Sequence, residues 1–78
     1  MRDIENEVLV VLRTLTPSGA EIERSSRIIE DLALLSDDAT AMALDLERRL
    51  KMRAPRTEWA TVATVADVIE LLRRNIER

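Results

Sequence analysis

Apolar side chains recur at helical spacing in three stretches of this chain, and the segments between them break that spacing. Ile4, Val8, Val11, Leu12 and Leu15 fall at i, i+4, i+7, i+8 and i+11, which puts them on one face of an amphipathic helix. Asp3, Glu5 and Glu7 lie in its first turns, where the helix dipole favours negative charge. The pattern stops at the breaker cluster Thr16-Pro17-Ser18-Gly19. A second helix is predicted from Ser36, with Ala39, Met42, Ala43, Leu46 and Leu50 on one face and Asp37, Asp38, Asp45 and Glu47 on others. It must end before Pro55, because a residue preceding proline avoids the α region. In the third stretch Val65, Val68, Ile69, Leu72 and Ile76 share a face. Thr64 and Asp67, three residues apart, fit a variant of the capping box at its start.

Residues 16–35 form a long connection. Ile22, Ile28, Ile29, Leu32, Leu34 and Leu35 are apolar there without a sustained helical period. They are expected to pin the loop to the core, with a short helical turn around Ile28–Leu32. Residues 55–63 form a shorter connector, expected to carry one helical turn at Thr57–Thr61 and to be anchored by Trp59 and Val62. The predicted fold is all-α: three main helices plus a short one, packed as a small, irregular antiparallel bundle. One domain over residues 1–78 is expected.

Composition narrows the chemistry. A chain of 78 residues builds a thin core and leaves little room for a deep two-walled pocket. Cys and His are absent. That removes disulfides, thiol nucleophiles, imidazole bases and the usual zinc ligand sets, so no metal site is expected. Net charge is −3 and the pI is 4.9, the opposite of the balance usual in nucleic-acid binders. The apolar run Val8–Leu12 is too short to span a bilayer. It follows acidic and polar residues, unlike a signal peptide. A cytoplasmic location, with no membrane or nucleic-acid partner, is the expectation.

Between Glu30 and Leu72 several short elements fall in one register. Glu30-Asp31-Leu32 precedes Ser36, which stands four residues beyond Leu32; Leu46-Glu47 and Leu50 follow, then Pro55, then Thr64-Val65. In this gapless order the stretch resembles the acyl carrier protein family. The resemblance implies an acyl-carrier-like bundle with Ser36 as the attachment point for 4′-phosphopantetheine, donated by coenzyme A. It implies a magnesium-dependent phosphopantetheinyl transferase as one partner, and acyl- or aminoacyl-loading and transferring enzymes as others. The arm carries its cargo as a thioester, so the chain would be a carrier and not an enzyme, most simply a monomer. It also implies that acids on the second helix, here Asp37, Asp38, Asp45 and Glu47, face basic patches on partner enzymes. Independently of any family, a serine at a helix N-terminus lies beside unpaired backbone N–H groups, which favour a phosphate.

The chain departs from the family pattern at the serine itself. The family reads Asp-Ser-Leu or Asp-Ser-Ile; here the order is Leu35-Ser36-Asp37, and Ala33 replaces the family's glycine after Glu-Asp-Leu. The altered motif points to a specialised lipid or secondary-metabolite pathway. Two readings stand side by side. In one, Asp37 supplies the displaced acidic role and Ser36 is modified. In the other, the chain is an unmodified interaction scaffold and Ser36 is only a helix N-cap, a position serine favours. Arg48, Arg49, Lys51, Arg53 and Arg56 form a basic run, readable as an anion-binding surface or as the charged end of a helix. Met42 and Leu46 are readable as core or as the wall of an acyl tunnel. No residue set supports acid–base catalysis.

Overall fold

The structure, a computed structural model, describes residues 3–16, 19 and 21–76. Among these, four helices follow in order: α1 (Ile4–Leu15), α2 (Ser36–Leu50), α3 (Arg56–Trp59) and α4 (Val65–Ile76). Pro17 and Ser18, at the centre of the expected breaker cluster, lie outside the described residues.

Each main helix starts and stops for a local reason. The Asp3 carboxylate caps α1 by accepting from the Asn6 N–H at 3.3 Å. At the other end, the Thr16 N–H and hydroxyl both donate to the Leu12 carbonyl, at 3.0 and 2.9 Å. α2 closes where Lys51 turns left-handed, at φ 52°. The Lys51 N–H then reaches the Arg48 carbonyl at 3.4 Å and the Met52 N–H reaches that of Glu47 at 3.0 Å. This paired arrangement satisfies carbonyls that a helix end otherwise leaves unpaired. α3 follows Pro55, one residue ahead of the expected turn; its fixed φ suits the entry to a helix. The capping box of α4 is formed in both directions. The Asp67 N–H donates to the Thr64 hydroxyl at 3.2 Å, and the Thr64 and Ala63 N–H groups both donate to the Asp67 carboxylate at 3.0 Å.

α1 packs against both α2 and α4, and α3 rests on α4. The core is Val8, Val11 and Leu12 of α1, Met42 and Leu46 of α2, and Val65, Val68, Ile69, Leu71 and Leu72 of α4, closed by Ile28, Leu32 and Leu34 from the first connection. Ile22, Trp59 and Val62 pack at its margin. Four apolar positions differ from the pattern-based expectation. Ile29 and Leu35 point outward, and Leu71 is buried where Ile76 is partly exposed. Ile76 is the last residue of α4, so the core stops short of it.

The first connection is more ordered than its sequence suggests. The expected turn is present: the Asp31 and Leu32 N–H groups both donate to the Arg27 carbonyl, at 2.8 and 3.1 Å. An isolated antiparallel bridge pairs Arg27 with Thr64, and the Ile28 N–H donates to the Ala63 carbonyl at 2.9 Å. The Val65 and Ala66 N–H groups, the first two of α4, donate to the carbonyls of Ser26 and Arg24 at 3.0 and 2.9 Å. Loop and helix start therefore satisfy each other's backbone. Ion pairs Arg24–Glu5, Arg49–Glu7 and Arg74–Glu58 cross between elements. They fix orientation more than stability, because exposed pairs contribute little.

Candidate functional site at the start of the second helix

The approach to α2 is a sharp bend. Ala33 stands at φ 56°, a left-handed conformation that glycine adopts freely and alanine does not. It is the position at which the acyl-carrier pattern has glycine. Beyond the bend the Leu34 side chain turns into the core while Leu35, 71% exposed, turns out. The Leu34 N–H donates back to the Ile28 carbonyl at 3.3 Å. Leu35 is the N-cap and Ser36 is the first helical residue. Of the two readings of Ser36, the one that makes it the N-cap differs from the structure by one residue. That role fell to Leu35 because the chain is still extended there, at φ −81° and ψ 166°.

The consequence is chemical. A capping serine ties up its oxygen on a backbone N–H two or three residues ahead. Here the Ser36 side chain has no hydrogen bond among the described residues, and the residue is exposed. The first backbone bond of α2 runs from the Ala39 N–H to the Leu35 carbonyl at 3.0 Å. The N–H groups of Ser36, Asp37 and Asp38 thus have no backbone acceptor among the described residues. The contrast with α4 is direct: there the first three N–H groups are all taken by loop carbonyls and the Thr64 hydroxyl. Of the two, only α2 keeps its amino end open.

The four predicted acids do not behave alike. Asp37 is exposed and has no ion-pair or hydrogen-bond partner among the described residues. Asp38 folds back, its carboxylate accepting from the Leu35 N–H at 3.2 Å. Asp45 is paired with Arg48 at 3.6 Å and Arg49 at 3.5 Å. Glu47 turns inward: one carboxylate oxygen accepts from the Ala54 N–H at 2.9 Å and from the Trp59 indole N–H at 3.2 Å. Its place is structural, holding the second connection against α2. The missed signal was the lone indole at Trp59, whose N–H needs an acceptor when partly buried.

Met42 and Leu46 are 2% and 0% exposed inside the core, so they pack and line no tunnel. A groove of about 450 Å³ runs along α4 past Ala66, Ile69 and Arg73 and is lined by no residue of α2. Among the described residues, no group of acids is placed to hold a metal ion. No helix described is long and apolar enough to cross a membrane. The site is thus an exposed hydroxyl at the start of a helix.

No family model matches the chain. The acyl carrier protein of Campylobacter curvus is 29% identical over 65 residues, covering 83% of this chain and 84% of that protein. That of Porphyromonas gingivalis is 24% identical over 78 residues, covering 99% of this chain and all of its own length. The chain is thus similar to curated acyl carrier proteins over most of its length. A solved structure of a candidate acyl carrier protein from Mycobacterium tuberculosis superposes with a TM-score of 0.86 over 92% of this chain and 97% of its own, at 15% identity; that likeness concerns the fold. Acyl carrier proteins are carriers and not enzymes, and they generally bear a phosphopantetheine arm. They work by meeting modifying and acyl-transferring enzymes.

Proposed function

We propose that this chain carries acyl or aminoacyl groups on a 4′-phosphopantetheine arm attached through a phosphodiester to the Ser36 hydroxyl, and delivers them to partner enzymes of a specialised lipid or secondary-metabolite pathway. The observation that carries the reading is the open amino end of α2. An exposed hydroxyl with no hydrogen bond among the described residues stands beside backbone N–H groups of Ser36, Asp37 and Asp38 that have no acceptor. The phosphate of the arm fits that environment, because helix N–H groups and the helix dipole stabilise an anion. Asp37 and Asp38 both oppose that charge, the Asp38 carboxylate accepting from the Leu35 N–H at 3.2 Å. Once attached, the arm supplies a terminal thiol on which cargo is held as a thioester.

The chain's own residues do the positioning. α2 is anchored by Met42 and Leu46 in the core and by its Lys51 closure, so its start is a firm base for a long flexible arm. Leu34 in the core and the turn at Ala33 hold the approach to Ser36 away from the bundle. In the alternative reading the chain is an unmodified scaffold, and the test below separates the two.

The test is an incubation of the purified chain with coenzyme A, magnesium and a broad-specificity phosphopantetheinyl transferase, followed by intact mass. The expected result is a gain of one phosphopantetheinyl group by the parent chain and none by Ser36→Ala. A gain that survives in Ser36→Ala, or no gain with a series of transferases including the native one, refutes the assignment.

A further inference from the structure

A thioester gives up its acyl group to a free thiol, imidazole or amine that it meets. A chain that bears its cargo in this form is therefore exposed to its own side chains. We infer that Lys51 is the side chain on which this chain takes up its own cargo, as an amide, and that the arginines along α2 and the connection after it spare the thioester. This rests on the carrier reading above and adds a modification site to it.

The side chains able to attack are few. Cys and His are absent, so neither a thiol nor an imidazole competes for the acyl group. Serine and threonine hydroxyls are weak nucleophiles without an adjacent base. Of the 12 cationic side chains, all but Lys51 are arginine. The two types differ in kind: a guanidinium stays protonated in a protein and offers no lone pair, whereas an ammonium can release a proton and attack. Charge alone does not account for the choice, since Arg48, Arg49, Arg53 and Arg56 would carry the same charge as lysines.

Lys51 stands within reach of an arm on Ser36. Its backbone closes α2, the N–H donating to the Arg48 carbonyl at 3.4 Å. Its side chain is exposed and has no hydrogen bond or ion pair among the described residues. α2 separates it from Ser36, a distance of about 22 Å. The arm has the contour of about five extended residues, roughly 17 Å, and the four-carbon stem of lysine supplies the remainder. Arg48 comes earlier on the same helix, about 18 Å from Ser36, and helical side chains lean towards the helix start. The first cation of α2 that the arm meets is thus one that cannot be acylated. The step at Lys51 balances without a further reagent. The amine adds to the thioester carbonyl, the carbon–sulfur bond breaks, and the sulfur leaves as a thiol with the proton that the amine sheds.

The arm is loaded with an acetyl group by a broad-specificity phosphopantetheinyl transferase acting on acetyl-coenzyme A, and both are then removed. Intact mass is followed before and after hydroxylamine, which cleaves a thioester and leaves an amide. The expected result is a hydroxylamine-resistant acetyl group that accumulates with time, maps to the peptide containing Lys51 and is absent in Lys51→Arg. Ser36→Ala mixed with the loaded parent is expected to stay unacetylated, which marks the transfer as internal. Arg48→Lys, which keeps the charge, is expected to shorten the half-life of the thioester about threefold, because a reachable amine reacts at a high effective concentration, and to collect a second amide at position 48. A loaded parent that gains no resistant acetyl, gains it elsewhere, or gains as much in Lys51→Arg overturns the inference and leaves the carrier reading standing. So does acetyl transfer to Ser36→Ala at the parent's own rate, or an Arg48→Lys half-life equal to that of the parent. A chain that never takes the arm overturns both.

Discussion

Removing the Glu47 carboxylate should loosen the second half of the molecule. In Glu47→Ala the Ala54 N–H and the Trp59 indole N–H lose their shared acceptor, which they contact at 2.9 and 3.2 Å. A hydrogen bond to an ionised partner contributes about 1.5–3 kcal/mol in mutational series. Both bonds end on one oxygen, and the site is only half-buried, so water replaces part of what is lost. Alanine also has a helix propensity a few tenths of a kcal/mol better than glutamate. The net loss expected is about 2 kcal/mol. For a domain of this size, about 1 kcal/mol moves Tm by roughly 4–8 °C, so Tm should fall by about 8–16 °C. Urea unfolding gives the free energy, and Trp59, the single tryptophan of the chain, reports the local event through a red shift of its emission. Glu47→Gln, which keeps a neutral acceptor, should recover about half of the loss. A Glu47→Ala chain within about 0.5 kcal/mol of the parent, with unchanged tryptophan emission, would refute the reasoning.

Further outcomes follow from the same structure. Ala33→Gly should stabilise the chain by about 0.5–1 kcal/mol, because the left-handed φ costs alanine about 1–2 kcal/mol and glycine's larger unfolded-state entropy offsets part of that; a lower midpoint in urea would contradict it. At Asp67, hydrogen bonds from the backbone of Thr64 and then of Ala63 hold the carboxyl below its ordinary range. A lowered folded-state pKa gives stability that is present above the unfolded pKa and lost as pH falls through the folded one. Asp67→Asn should therefore cost about 0.5 kcal/mol at pH 7, a small figure because the carboxylate is exposed to solvent, and progressively less below about pH 5; a gap independent of pH would contradict the sign. Leu46→Ala, which empties a fully buried core position, should cost about 2–5 kcal/mol in urea unfolding, and a loss under 1 kcal/mol would mean that the site is not packed as described.

How far the sequence disclosed this molecule can be judged residue by residue. The helical rows of α1, α2 and α4 were readable because their apolar spacing matches the helix period, and the Thr64–Asp67 capping box was readable because it is a local motif. Leu71 was missed because it sits beside the predicted row and widens it, which depends on what α1 and the loop bring against α4. Ile29 and Leu35 were given to the core on hydrophobicity alone, yet in a loop without a period nothing in the sequence assigns a side chain to inside or outside. The bridge between Arg27 and Thr64 joins positions far apart in the chain and leaves no local trace.

At the candidate site, the start of α2 at Ser36 agreed with the pattern, and the capping position lies one residue before the serine. Serine is a good N-cap by type, and only the backbone angles of Leu35 move the cap one residue earlier. The inward turn of Glu47 was hidden for a related reason. A glutamate on a charged helix reads as solvated until its carboxylate is seen to meet an indole N–H from twelve residues away.

The whole account turns on what is bonded to one oxygen in the living cell. Intact mass of the chain isolated from its native cells, with the modified peptide mapped, measures this directly. The account expects a fraction of the protein to carry a single phosphopantetheinyl group, localised to the peptide containing Ser36. Protein that is unmodified under every growth condition, or that carries the group elsewhere, would contradict it.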